Sequence, residues 1–436
     1  MQEEIVAAIR EAGVVGAGGA GFPTHVKINA KVDMVLANGA ECEPLLRAHQ
    51  HVMAAESDNL VAGLAAVMLA TGAGRGYIGL KRKYTEAVAN LEAAIGRLGD
   101  RRIELFFLPD MYPAGDEQVL VHEVTGRIVP EGGIPLHVGA VVANVETLVN
   151  VAKALRGTAV VSKYLTVTGA VAHPVTVQVP VGTSVQAVIA LAGGVTTGDY
   201  ALIDGGPMMG KLVGNDSVVT KTTSGIIVLP ARHPLIVQKK TPWSAIINRA
   251  KAVCCNCRAC TDCCPRHLLG HSLEPHRIMQ AIGNGIQDPA TLTRALLCSE
   301  CGACDTFGCT MGLSPRRVNA ELKRQLGSQQ KEIARLTSLE AKRTGRAVEE
   351  VAADEKVRFS SRSVRAQRRR LGLSADEYAK LVGVSPLTIY NWEHGKVRPR
   401  DAQLARLVAV RNIGKRDALQ RLAELSEAAK AGRKKG

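Results

Sequence analysis

Aromatic side chains make up only 3% of the 436 residues, so a core here must be built from Ala, Val, Leu and Ile. Long apolar runs are also missing. Val61–Ala70 is among the longest, well short of the ~20 residues a membrane-spanning helix needs, and no transmembrane segment is expected. The opening Met1-Gln2-Glu3-Glu4 lacks the basic and apolar stretches of a secretory signal. The expectation is a cytoplasmic, reducing setting, in which a disulfide framework is out of place. Cysteine is nearly absent outside one window: ten of the eleven lie between Cys254 and Cys309, and Cys42 is the exception. Excess charge is nearly absent from the first three quarters. Residues 1–327 hold 30 basic and 27 acidic side chains; the remainder hold 25 and 13, or +12 of the total +15. A near-neutral body therefore carries a basic tail module.

Hydrophobic residues at 46%, charged residues at 22% and 43 glycines fit α/β folding and exclude a collagen-like or wholly disordered chain. Up to about residue 157, apolar strand-like runs (Val32–Ala37, Tyr77–Leu80, Ile103–Leu108) alternate with helical stretches (Glu3–Ala12, Val61–Leu69, Glu86–Leu98). That alternation predicts a three-layer α/β domain over 1–157. Residues 158–235 read as a small sheet with one helix, Ser184–Ala192. Residues 240–326 hold the cysteines among short helices. Residues 327–357 are a polar, helix-prone linker, and 358–425 are helical throughout.

Cys254-x2-Cys257-x2-Cys260-x3-Cys264-Pro265 matches the bacterial ferredoxin run in full. Cys298-x2-Cys301-x2-Cys304-x4-Cys309 is a second run, with one extra residue and Thr310 in place of proline. Three thiolates two residues apart wrap three corners of a cubane, and the fourth ligand comes from the other run. Two [4Fe–4S] clusters are expected: Cys254, Cys257, Cys260 and Cys309 on one, and Cys298, Cys301, Cys304 and Cys264 on the other. Structural zinc is the alternative, but zinc sites pair two C-x2-C units across a longer loop. Cys255 and Cys263 are surplus and are expected to be small buried residues. His267 and His271 lack the Glu of H-E-x-x-H and are expected to pack beside the cluster domain.

Gly16-Ala-Gly18-Gly19-Ala-Gly21 satisfies G-x-G-x-x-G, but a helix precedes it rather than the strand of a dinucleotide fold. Such a turn either cradles a phosphate, with Lys27 adding charge, or permits tight packing. The stretch from Gly18 through Phe22 to Lys27, together with Asn38-Gly-Ala-Glu41-Cys-Glu43-Pro44 and Asn144-Val-Glu-Thr147-Leu, resembles the flavoprotein subunit of respiratory complex I. It resembles the flavin- and cluster-bearing member of the Rnf electron-transport complex more closely. Closer still are the cobalamin reductases of propanediol-utilisation microcompartments. In that family a flavin domain precedes a β-grasp ligand-binding domain and then two ferredoxin runs, the order seen here over 1 to about 326.

The resemblance implies an α/β flavin domain, a small β-grasp domain and an α-helical two-cluster ferredoxin-like domain. Gly16, Gly18, Gly19, Gly21 and Lys27 would hold the FMN phosphate and ring edge. Asn38, Glu41, Asn144 and Thr147 would complete the flavin site. Phe22 and Glu43 would lie near the nicotinamide of NADH, with Glu117 in a further acidic turn beside flavin and nucleotide. Electrons would reach an acceptor, cobalamin or a corrinoid adenosyltransferase, inside a microcompartment and against its shell proteins.

Ala379-x3-Gly383-Val-Ser385-x3-Ile389-x2-Trp392 has the spacing of a helix-turn-helix. Leu373–Val382 would be its first helix and Ser385 the N-cap of its second, with Pro386 at the first turn. Val384, Ile389 and Trp392 would face the core; Ser385, Thr388, Tyr390 and Asn391 would face outward. The segment resembles phage-repressor-like domains, whose second helix enters the DNA major groove while flanking arginines such as Arg398 hold phosphates. A small bundle with a solvated basic face is the alternative. As a whole, the chain is expected to be an NADH-oxidising flavin and iron–sulfur enzyme, with a redox-responsive DNA-binding regulator as the alternative. The tail is either a natural fusion or an unrelated joined segment.

Overall fold

The computed structural model describes residues 2–286, 288–328 and 361–397, together with 399, 403, 407, 410, 418–420 and 422. The chain divides into two units, Met1–Leu326 and Gly327–Gly436. The predicted linker falls almost wholly outside the described residues, as does Arg398.

In the first unit, four parallel strands form a sheet in the order β3-β2-β1-β4. They are β1 (Met34–Gly39), β2 (Arg75–Lys81), β3 (Ile103–Leu108) and β4 (Ala140–Asn144). β1 begins two residues later than Val32, because the Val32 amide donates to Thr71 O and the Asp33 amide to Gly139 O. Helices cover both faces, as continuous apolar strands require. On one side lie α1 (Gln2–Glu11), α3 (Ala48–Ala55), α4 (Ser57–Thr71), α5 (Thr85–Leu98) and α7 (Val145–Ala154); α6 (Glu117–Thr125) covers the other. Short α2 (Thr24–Lys27) follows the glycine loop. The expected buried helix is α4, with Leu60, Leu64, Val67 and Met68 wholly buried. Gly72, in the left-handed region at φ 70°, ends it. Among the described residues no single helix is long and apolar enough to cross a membrane, and α3 and α4 are bent 89° apart.

The strand order switches sides at β1, with β2 on one side and β4 on the other. β1 and β4 pair so that Asn38 lies opposite Asn144. Both asparagines therefore stand at the carboxyl end of the sheet at its switch point, where open parallel sheets bind their ligands.

A second sheet, in the order β6-β5-β9-β7-β8, follows: β5 (Ser162–Gly169), β6 (Val175–Pro180), β7 (Tyr200–Asp204), β8 (Lys211–Val213) and β9 (Gly225–Pro230). Only β5 and β9 run parallel. One helix, α8 (Val185–Leu191), packs on it through Val185, Val188 and Ile189, with Ser184 as its N-cap. Short helical pieces between Trp243 and Leu297 then surround the cysteines, and residues 315–326 close the unit as a helix.

In the second unit, helices Ser361–Leu371, Ala375–Val382 and Pro386–Glu393 bury Tyr378, Ile389 and Trp392. The first motif helix starts at Ala375 rather than Leu373. Ser374 and Glu377 form a reciprocal capping box, leaving Leu373 buried before the cap. Ser385 caps the second helix as expected, accepting from the Thr388 amide at 3.1 Å. Arg368, half-buried, grips the buried Glu393 with two bonds, 2.6 and 3.0 Å. Replacing Arg368 by Ala is expected to cost the unit about 2 kcal/mol. Calorimetry would record this as a lowered transition of the helix-turn-helix unit with unchanged iron and flavin content.

Candidate functional site

The chain leaves α1 and turns through the glycine loop. Gly16 donates to Phe22 O at 2.9 Å and Gly21 to Gly16 O at 3.2 Å, closing the turn. Gly19 and Gly21 stand at φ 114° and 65°, where a side chain is strained. A Cβ on Gly18 would lie 3.1 Å from Asn144 Nδ2. Ala17 is clamped on both sides: its amide donates to Thr147 Oγ1 at 2.9 Å, and its carbonyl accepts from Lys163 Nζ at 3.2 Å. Lys163 in turn is paired with Glu146, both side chains being 2% exposed. The amides of Gly18 and Gly19 have no acceptor among the described residues. Unpartnered amides in a tight turn are donors for an anion, and the loop fits a flavin phosphate.

The other predicted flavin residues gather beside it. Asn144 caps α7, its Oδ1 accepting from Glu146 N at 2.9 Å and Thr147 N at 3.4 Å. Its Nδ2 lies 3.1 Å from His49 Nε2. Burial holds His49 down to about 3, so the ring is neutral and its 3.8 Å approach to Glu41 is a polar contact. Glu41, at φ 34°, accepts from the amides of His49 (2.8 Å) and Gln50 (3.0 Å). Burial pushes its carboxyl from 4.5 up to about 7 against those bonds. Glu41 thus favours folding fully below about pH 4.5, and the contribution is lost as pH rises through about 7. Glu41→Gln is expected to flatten the dependence of unfolding free energy on pH across that window.

Asn38 Nδ2 donates to Gly115 O at 2.8 Å. Phe22 is half exposed. Lys27 and Glu117 pair with each other at 2.6 Å. Glu43 reaches into the second sheet's loop, accepting from Met208 N (3.0 Å) and Met209 N (2.7 Å). Gly206 makes room for it, since a Cβ there would lie 2.1 Å from Glu43 Oε2.

The two cysteine runs share one backbone device. Asn256 and Arg258 in the first, and Glu300 and Gly302 in the second, are left-handed, at φ 55°, 67°, 59° and 82°. The same offsets within C-x-x-C-x-x-C curl each loop into a nest. Amides point at sulfur: Glu300 N donates to Cys298 Sγ at 3.3 Å and Leu313 N to Cys309 Sγ at 3.4 Å. Burial pushes Cys260 up to about 12, with Cys309, Cys263, Cys254 and Cys257 adding to it. Cys298 is pushed up to about 12 by burial and then by Cys264 and Cys301. Burial raises Cys304 too, and it feels Cys298, Cys301 and Cys264. The thiols thus fall into two groups, with Cys309 among the first run and Cys264 beside the second. Among the described residues, no three His, Cys, Asp or Glu side chains converge to hold one metal ion. Two sets of four thiols, each with three from one C-x-x-C-x-x-C run and one from the other, fit cubane clusters. Cys255 is exposed and Cys263 half-buried, so burial does not explain Cys255: it follows the first ligand in the outward part of the nest.

The α/β domain abuts the second run directly. Tyr112 Oη donates to the Cys301 carbonyl. Asp116 pairs with Arg266 at 2.5 Å, both nearly buried, while also capping α6. His271 contacts Val129 O at 2.8 Å, so this histidine reaches across to the α/β domain, beyond the expected packing on the cluster domain.

Four family models match: "Nuo51 FMN-binding domain" over 9–153, "SLBB domain" over 164–212, "4Fe-4S dicluster domain" over 253–314 and "Helix-turn-helix" over 364–413. Cobalamin reductase PduS of Citrobacter freundii is 48% identical over 321 residues, covering 73% of this chain and 70% of that protein. Its namesake in Salmonella typhimurium is 48% identical over 330 residues, with 75% and 72% covered. The chain belongs to the cobalamin reductase family. Like its flavin and dicluster domains, this membership makes it an oxidoreductase working with FMN, [4Fe–4S] clusters and NADH. A more distant relative is a component of the Na(+)-translocating ferredoxin:NAD(+) oxidoreductase complex of Acetobacterium woodii. It is 40% identical over 268 residues, covering 60% of this chain and 57% of that protein. The NAD+-reducing [NiFe]-hydrogenase, air-oxidized, shares the fold: TM-score 0.51, 22% identity, 74% of this chain and 63% of that chain.

Sequence reading missed Lys163, Glu146, His49, Tyr112 and Arg266. Lys163 left one trace, a lone charge within the apolar strand Ser162–Gly169. The others gave none.

Proposed function

We propose that this member of the cobalamin reductase family oxidises NADH at FMN and delivers the electrons through both clusters to cobalamin. The observation that carries this is the continuous connection, within one compact unit, from the Asn38–Asn144 switch point to the second cysteine nest through Gly115, Asp116 and Arg266. Flavin, when bound, converts a two-electron hydride into single electrons. The chain's own part is placement. Gly18 and Gly19 offer amides to the phosphate, and Gly16 and Gly21 close the turn that presents them. Lys27 joins them by releasing Glu117, since so exposed a pair is worth little. Asn38, Glu41, Asn144 and Thr147 position the ring. Phe22 and Glu43 border the nicotinamide, and Glu43 also fixes the second sheet's loop over it. Cys254, Cys257, Cys260 and Cys309 hold one cluster; Cys264, Cys298, Cys301 and Cys304 hold the other.

The test is anaerobic purification with flavin and iron assays. Absorbance is then followed after NADH, and again after cob(III)alamin. The expected result is about one flavin and eight irons per chain, bleaching by NADH and appearance of cob(II)alamin. Bleaching without corrinoid reduction would leave a flavin and iron–sulfur enzyme with another acceptor. Placement inside a propanediol microcompartment, contact with its shell and hand-over to an adenosyltransferase belong to the same proposal, resting on family membership.

The helix-turn-helix unit supports a DNA-binding role through Ser385, Thr388, Tyr390 and Asn391, with Arg398 as a phosphate contact. Ser385 and Tyr390 are exposed, and Thr388 and Asn391 half-buried, on the helix after the turn. Binding to duplex DNA that weakens steeply with salt supports the role; a change in affinity on cluster reduction would make it a regulator.

A further inference from the structure

The two cysteine nests differ in what covers them. In the second group, Cys264, Cys298, Cys301 and Cys304 are all 7–8% exposed. The α/β domain closes over this group through Tyr112 at the Cys301 carbonyl and Asp116 at Arg266, two residues beyond Cys264. Asn38 extends that connection into the flavin site by its bond to Gly115, the residue before Asp116. In the first group only Cys260 is buried. Cys254 and Cys309 are half-buried and Cys257 is exposed, along with Cys255, Asn256 and Arg258. Arg258 pairs only with Asp262 of its own loop in the ion pairs among described residues. The nests meet at Gly308: a Cβ there would lie 2.9 Å from Cys260 Cα. That approach lets Cys309 cross to the first group.

We infer that electrons enter the cluster domain at the second nest and leave from the first, where the acceptor meets the loop Cys255–Arg258. This rests on the proposed function for the acceptor's identity, not for the order of the clusters. The exit face has a cationic rim. Lys251 is exposed one turn before Cys254, Arg249 holds Met311 O at 3.3 Å just past Cys309, and Arg258 stands in the loop against one carboxylate, Asp262. Such a rim can contact the phosphate of a corrinoid's nucleotide tail locally, whatever the net charge of the whole corrinoid. NADH yields NAD+, a proton and two electrons. Each cluster carries one electron at a time, so two cob(III)alamin are reduced to cob(II)alamin per NADH.

Freeze-quenched paramagnetic resonance of the full-length holoenzyme after mixing with NADH tests the order. A soluble dysprosium chelate broadens the signal of the exposed cluster. The expected first signal is the unbroadened one, with the broadened signal following. A broadened signal appearing first, or two signals broadened alike, overturns the inference. The exit face is tested by Lys251→Glu. NADH bleaching is expected to be unchanged, while kcat/KM for cob(III)alamin falls at least threefold through the lost contact to its phosphate. The rival exit is the cleft beside Glu300 lined by Trp243, Arg316 and Lys323. A loss confined to Trp243→Ala, with Lys251→Glu unaffected, overturns the assigned exit. If the unaltered enzyme reduces no corrinoid, the proposed function fails, yet the order of the two signals still decides the inference.

Discussion

Replacing Lys163 by Met is expected to cost the first unit about 3–5 kcal/mol, the usual consequence of stranding one partner of a buried ion pair. Glu146 would be left, among the described residues, with the Tyr164 amide at 3.1 Å as its one donor. The Ala17 carbonyl would lose the charged donor Lys163 gives it. Two measurements separate the effects. Thermal unfolding without flavin reports the stranded charge. Titration with FMN, followed by quenching of its fluorescence, reports the loop, and affinity should fall at least about tenfold, the weight of one charged hydrogen bond. The double variant Lys163→Met with Glu146→Leu removes the uncompensated charge. It is expected to regain most of the stability and none of the affinity. Recovery of both would mean that Lys163 only fills space.

Gly63→Ala is also expected to be strongly destabilising, for a steric reason. Gly63 lies on α4 where α7 crosses it, and a Cβ there would fall 1.9 Å from the Leu148 carbonyl oxygen and 2.7 Å from its carbon. Backbone cannot swing aside as a side chain can, so the helices must part. Overpacking of this kind costs about 1–3 kcal/mol or more. The displaced helix begins at Asn144 and carries Glu146 and Thr147, so flavin affinity should fall along with stability. Gly96→Ala provides the contrast. It lies in α5 with nothing within 4 Å of the added carbon, and is expected to stabilise by about 0.5–1 kcal/mol. Chemical denaturation of the two variants side by side checks both signs.

What was legible in the sequence is what short-range spacing encodes. Two cysteine triplets, a glycine-rich turn and a Ser-Pro helix start each write their geometry within a dozen residues. So do the apolar runs that became β2 and β3. The missed residues act across distance. Lys163 reaches Ala17 over 146 positions, Arg266 reaches Asp116 over 150 and Tyr112 reaches Cys301 over 189. Charge patterning along the chain cannot announce a pair that forms only once two domains have docked. Glu43 is instructive in another way. The resemblance set it beside the nicotinamide, and the fold adds two amides of the second sheet's loop as its partners, so one carboxylate faces two tasks. Helix and strand starts shifted by about two residues wherever a backbone amide found a tertiary acceptor first, as at Val32, or a cap set the boundary, as at Ser374.

The unequal cover over the two nests also bears on how the protein ages in air. Oxygen and chelators reach a cubane through solvent, and among the described residues of the two nests the loop Cys255–Arg258 is the part that opens that way. Iron loss should then come in two stages, about four atoms quickly and the rest slowly. The half-stripped species would keep the cluster nearest the flavin and still bleach with NADH. A preparation handled carelessly would pass a dye-reduction assay while having lost its outlet to the natural acceptor.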